Sequence, residues 1–108
     1  MYTRTKIGAT MSSAASTAVV TNSTTPNLPG TSVVLSIDYA TAPSMDCKVE
    51  GSDDNSTFTD LWDPPAVNDN SSTAVSQRSA TVTLPKYIKG TVTAYTDGTA
   101  MFYIENAG

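Results

Sequence analysis

The stretch Cys47-Lys48-Val49-Glu50-Gly51-Ser52-Asp53-Asp54-Asn55-Ser56-Thr57-Phe58-Thr59-Asp60-Leu61-Trp62 reads as a strand, a tight polar turn and a second strand. Lys48 and Glu50 alternate with Cys47 and Val49, which gives one apolar and one charged face. The Gly-Ser-Asp-Asp-Asn-Ser cluster supplies residues that tolerate positive φ or bond their own backbone. The segment predicts an antiparallel all-β chain and carries no catalytic constellation.

Reading outward, Val33 to Tyr39 is the clearest strand, with Val33, Leu35, Ile37 and Tyr39 on one side and Val34, Ser36 and Asp38 on the other. Thr17–Thr21 is a first strand. Asn22–Gly30 is a loop punctuated by Pro26 and Pro29, and Thr41–Ser44 is a turn around Pro43. Pro64 and Pro65 stop the strand that ends at Trp62, because proline cannot donate to a ladder, and Asn68 to Ser72 make a polar loop. Ser79–Leu84 alternates again, and Pro85 marks a corner. Ile88–Tyr95 places Ile88, Gly90, Val92 and Ala94 inward. Asp97-Gly98 signals a tight hairpin, and Ala100–Glu105 closes the domain with Ala100, Phe102 and Ile104 inward.

Seven to eight short strands at these spacings predict an antiparallel β-sandwich over residues 16–108, jelly-roll or Ig-like in strand order. Residues 1–15, polar and aperiodic, read as an extended N-terminal arm that a partner orders. The expected core is Val33, Leu35, Ile37, Val49, Phe58, Leu61, Val82, Leu84, Ile88, Val92, Phe102 and Ile104.

Composition agrees with this class. Ser and Thr number 31 of 108 residues, against 16 charged ones, which suits strands and turns rather than helices. The net charge of −4, with no concentration of cations beyond the pairs Arg4/Lys6 and Lys86/Lys89, argues against nucleic acid as a partner. No window is apolar enough to span a membrane. Residues 7–20 are too polar for a secretory leader, so the chain is expected to stay in the cytoplasm or leave as part of something larger. The single cysteine, Cys47, cannot form an intrachain disulfide and falls on an apolar face, which marks it as a small core residue. The absence of histidine excludes Cys–His and Ser–His–Asp machinery.

Asp53-Asp54-Asn55 with Asp60 is the best metal candidate, but it lacks the spacing of a calcium loop and is read as a hairpin tip with solvated carboxylates. Neither a metal nor any other cofactor is expected. Asp60 and Asp63 are an acid pair without a cleft, and no enzyme activity is expected. The sequons at Asn22, Asn55 and Asn70 are read as chance occurrences in a Ser/Thr-rich chain. Trp62 is the most conspicuous aromatic. Tyr95, Met101 and Tyr103 fall on outward faces, where they read as a protein interface, a sugar platform or ordinary surface.

Val49-Glu50-Gly51-Ser52-Asp53-Asp54-Asn55-Ser56-Thr57-Phe58-Thr59-Asp60-Leu61, followed by Leu84-Pro85-Lys86-Tyr87-Ile88-Lys89-Gly90 and the closing Ala100-Met101-Phe102-Tyr103-Ile104, resembles a pattern recurrent in small structural proteins of tailed phages. The resemblance covers roughly residues 33–105. It implies a virion component, most like a capsid decoration (cement) protein that binds the outer surface of the assembled shell, often as a trimer, with the major capsid protein as partner and assembly in the host bacterial cytoplasm. A neck, tail or fibre module shares these features, and a carbohydrate-binding sandwich shares the turn logic. On this reading Tyr2, Arg4, Lys6 and Ile7 are arm contacts, and Tyr95, Met101 and Tyr103 join subunits.

Overall fold

The computed structural model describes residues 2–68 and 75–107. The chain is all-β and antiparallel. Its eight strands are β1 (Thr3–Lys6), β2 (Val20–Thr21), β3 (Ser32–Ser52), β4 (Thr59–Trp62), β5 (Val67–Asn68), β6 (Val75–Arg78), β7 (Val82–Thr83) and β8 (Tyr87–Asn106). Six are short, as expected. The other two, β3 and β8, are 21 and 20 residues long and pair with each other from Val34↔Glu105 to Ser52↔Tyr87. The polar loop expected across residues 69–72 lies outside the described residues.

This two-stranded ribbon absorbs both of the turns expected at Thr41–Ser44 and Asp97-Gly98. Ala40 pairs with Thr99 and Ser44 with Asp97, so residues 41–43 stand opposite Gly98 alone. Thr41 and Ala42 adopt φ of 63° and 52°, Gly98 adopts 91°, and Pro43 is buried between them. Three residues against one is a bulge that bends a ladder without ending it. A Cβ on Gly98 would stand 2.6 Å from Pro43 Cα, so glycine is required by contact as well as by φ.

The bend is large. A straight 21-residue strand would run roughly 70 Å, yet the longest dimension of the molecule is 37 Å. Ser32, at the start of β3, pairs with Thr83, whereas Ser52, at its end, pairs with Tyr87. The link from 83 to 87 spans at most about 14 Å, so the two ends of β3 lie close together. The sheet therefore curls into a half-barrel whose apolar face is inside. Phe102, from one half of β8, lies against Gly90 from the other half, where any Cβ would overlap its ring.

Each edge of the ribbon is covered by a broken strand. Along β3 run β7, β6, β5 and β4, at Ser32–Val33, Ser36–Tyr39, Ser44–Met45 and Val49–Gly51. Along β8 runs the N-terminal segment. β1 pairs Thr3↔Asn106 through Lys6↔Tyr103. The Ile7 N–H donates to Phe102 O at 2.7 Å, Met11 and Ala100 exchange bonds of 2.8 and 2.9 Å, and the Thr17 N–H donates to Gly90 O at 2.8 Å. β2 closes the row at Val20↔Ile88. The segment expected to be an arm is thus a strap on its own sheet, with Ile7 fully buried and Met11 9% exposed. The reason is that the backbone groups along that edge of β8 need partners, and the strap supplies both partners and apolar side chains.

Nine of the twelve expected core residues are buried. Leu61 and Val82 are half-buried against the core, and Phe58 is half-buried away from it, with Lys89 Nζ 4.3 Å from its ring centroid. Ala94, expected inward, is exposed. Asp46 pairs with Ala94 and Cys47 with Val92, so Thr93 is an extra residue that shifts the alternation by one. Tyr95, expected outward, accordingly packs against the core and donates its hydroxyl to Gly98 O at 2.9 Å.

Replacing Ile7 with Ala should destabilise the protein by about 2–5 kcal/mol in urea unfolding; a frayed arm would show no change. Gly90→Ala should cost about 1–3 kcal/mol or more by forcing the Phe102 ring aside, with an equivalent loss of the denaturation midpoint.

Candidate docking face

The outer surface of the half formed by β1, β8, β3 and β6 is built from alternate residues of each strand. The register lays Arg4 beside Glu105, then Lys6, Tyr103, Ser36 and Arg78 in one row, then Met101, Asp38 and Ser76 in the next. Strand alternation at Val34, Ser36 and Asp38 sends these side chains away from the core, as the sequence pattern predicts.

Glu105 is the centre of this face and is only 7% exposed. Its Oε1 accepts from Arg78 Nη2 at 2.6 Å and from the Tyr2 hydroxyl, and Arg4 Nε lies 3.8 Å from Oε2. Arg4 also reaches Asp38 at 2.9 Å and lies over the Tyr103 ring, 3.6 Å from its centroid. The Tyr103 hydroxyl in turn donates to Met101 Sδ at 3.5 Å. Burial alone would raise the Glu105 pKa, but the hydrogen bonds from Ser36 and Tyr2 and the charges of Arg78 and Arg4 outweigh it and hold the carboxyl below its ordinary value. Exposed ion pairs contribute little, whereas a buried carboxylate depends on its partners.

Of the seven residues expected to touch a partner, five meet here: Tyr2, Arg4, Lys6, Met101 and Tyr103. Lys6 donates to Thr10 at 2.7 Å and is exposed. Ile7 belongs to the core and Tyr95 to the other half of the ribbon. Sequence reasoning missed Glu105, Arg78 and Asp38 as parts of this face. Their opposite charges at alternating positions were visible, but only the strand register shows that they converge.

The hairpin tip has a different character. Asp54 Oδ1 accepts from the N–H groups of Ser56 and Thr57, each at 2.9 Å, and from Ser52 Oγ at 2.9 Å. The bonds from Thr57 and Ser56 lower its pKa. This carboxylate is occupied in holding the turn, and Asp60 is paired with Lys48 at 2.8 Å. Among the described residues no group of three or more His, Cys, Asp or Glu side chains could hold a metal ion. Next to the tip is an open crevice of about 300 Å³ with Leu61 and Pro85 on its apolar side and Asp53 and Asp54 on its rim.

Burial pushes the Cys47 thiol up to about 11, so it is protonated at neutral pH. Asn22 is buried and donates to Pro85 O at 2.9 Å, whereas Asn55 is exposed at the turn; Asn70 lies outside the described residues. Trp62 is half-buried against the core. Neither a family model nor a curated protein sequence matches the chain.

Because the folded pKa of Glu105 lies below its unfolded value of about 4.3, its stabilising contribution is complete above that value and disappears as pH falls through the folded pKa. Glu105→Gln should cost about 1–3 kcal/mol at neutral pH. Its loss of stability between neutral and strongly acid pH should be smaller than that of the wild type, measured by thermal melts across that range.

Proposed function

We propose that this protein is a structural component of a tailed-phage virion, a decoration protein that binds the outer surface of the assembled capsid and stabilises it without chemistry. The observation that carries this reading is the face around Glu105. It gathers Tyr2, Arg4, Met101 and Tyr103 on one side of a rigid sheet, and Tyr, Arg and Met are the residue types enriched in protein interfaces. The hairpin and closing-strand resemblance supports the same reading. We also place the fold among the antiparallel β-sandwiches, because the bent ribbon packs Phe102 of one half against Gly90 of the other.

The partner on this reading is the major capsid protein, and the mechanism is mass action. A protein that binds only the assembled shell stabilises it by about 2.7 kcal/mol per site when its free concentration is one hundred times Kd. Many equivalent sites, each of roughly 1,600 Å², multiply this over the particle. Arg4 is held by Asp38 and the Tyr103 ring before any partner arrives, so docking orders few side chains at the centre of the face.

The purified protein should bind undecorated, expanded capsids and raise their disruption temperature. Met101→Lys should weaken this binding at least about tenfold, since it buries a charge in the contact, while its ammonium, opposite Asp38, leaves the protein's own melting temperature nearly unchanged. Absence of binding, or binding to glycans with none to shells, overturns the proposal.

A further inference from the structure

The chain has four methionines, and the fold treats them differently. Met11 and Met45 belong to the core, at 9% and 4% exposure, and Met1 lies outside the described residues. Met101 stands between the buried Ala100 and Phe102, so strand alternation sends it outward, where it is half-buried. It lies opposite Asp38, and the Tyr103 hydroxyl donates to its Sδ at 3.5 Å. Among the described residues it is the one methionine outside the core.

A thioether is a weak acceptor, so a good donor has a poor partner here. The donor is also held in place. Arg4 covers the Tyr103 ring, 3.6 Å from its centroid, and is itself bound to Asp38 at 2.9 Å. One oxygen added to the sulfur supplies what this pair lacks, because a sulfoxide oxygen is a strong acceptor and forms on the atom that the hydroxyl already faces.

We propose that Met101 is an oxidation site, converted to the sulfoxide by hydrogen peroxide, with the Tyr103 hydroxyl donating to the new oxygen. A sulfur lone pair attacks one peroxide oxygen, an S–O bond forms and the O–O bond breaks. The proton on the transferred oxygen passes to the departing hydroxide, which leaves as water. The sulfur is oxidised by two electrons and the peroxide is reduced by two. The product replaces an apolar group with a polar one in the middle of the face proposed above to meet the capsid. On that reading, on which this consequence rests, oxidation weakens docking because the sulfoxide must be desolvated in the contact.

The test treats the purified full chain with hydrogen peroxide and follows its tryptic peptides by mass. Cleavage separates the sites, since residues 1–4 carry Met1, residues 7–48 carry Met11 and Met45, and residues 90–108 carry Met101. Peptide 90–108 should gain about 16 Da at least about tenfold faster than peptide 7–48, and the difference should vanish in urea. Equal rates in the folded protein overturn the proposal. Oxidation should leave the melting temperature of the wild type nearly unchanged and lower that of Tyr103→Phe, whose sulfoxide lacks its donor; an equal response of the two overturns the role of Tyr103. Capsid binding should weaken about tenfold on oxidation of the wild type and stay constant in Met101→Leu, which keeps the apolar bulk without the sulfur. Binding that survives oxidation of Met101 overturns the effect on docking. A protein that binds no capsid even before treatment sinks the decoration function instead, and the peptide map still decides whether Met101 is the oxidised site.

Discussion

The bend at residues 41–43 opposite Gly98 is the constraint on which the rest of the structure depends. A flat ribbon of β3 and β8 would bury one face only by finding another layer, and the chain has few residues left from which to build one. Bending the ribbon lets its own two halves supply both walls of the core. Phe102 can then reach Gly90, Pro85 can reach Gly51, and a short link can carry the chain from one end of β3 to the other. The extra residue at Thr93 belongs to the same solution, because it turns Tyr95 inward, where its hydroxyl ties back to the carbonyl of Gly98.

Curling leaves two edges, and their treatment explains the remaining segments. The chain returns along β3 in four short pieces and arrives along β8 in one interrupted strap. Neither edge strand is long or regular. Broken edges of this kind keep a sheet from pairing indiscriminately with other sheets.

The class, the hairpin and most of the buried face were legible because strand alternation survives in single sequences. Val33, Leu35, Ile37, Cys47, Val49, Phe102 and Ile104 all lie where period-two reading puts them. The lost information is of two kinds. Pro43 and Asp97-Gly98 are turn signals, and a bulge uses the same residues as a turn, so local chemistry could not tell a chain reversal from a bend in a continuous strand. The strap was lost because its buried apolar side chains are only Ile7 and Met11, in a run of small and polar residues. Its order comes from the backbone of β8, a partner distant in sequence. The docking face was half legible. Tyr103 and Met101 could be placed on an outer face, but their meeting with Arg4 and Glu105 is a matter of register, which no local pattern encodes.

That register explains why a carboxylate is buried under Tyr2, Arg4 and Arg78. A four-residue edge strand such as β1 is weakly specified by its backbone bonds, since a slip by one residue preserves most of them while exchanging its two faces. Here a slip would take Arg4 off Asp38 and the Tyr103 ring and turn Ile7 from the core into solvent. An apolar side chain at position 105 would tolerate several alignments. Glu105, desolvated and dependent on specific donors, tolerates the one in which Tyr2 and Arg4 lie over it. The same side chain thus fixes where the strap sits and holds together the outer face around Arg4 and Tyr103, so the alignment of β1 and the shape of the proposed docking face are set by a single buried charge.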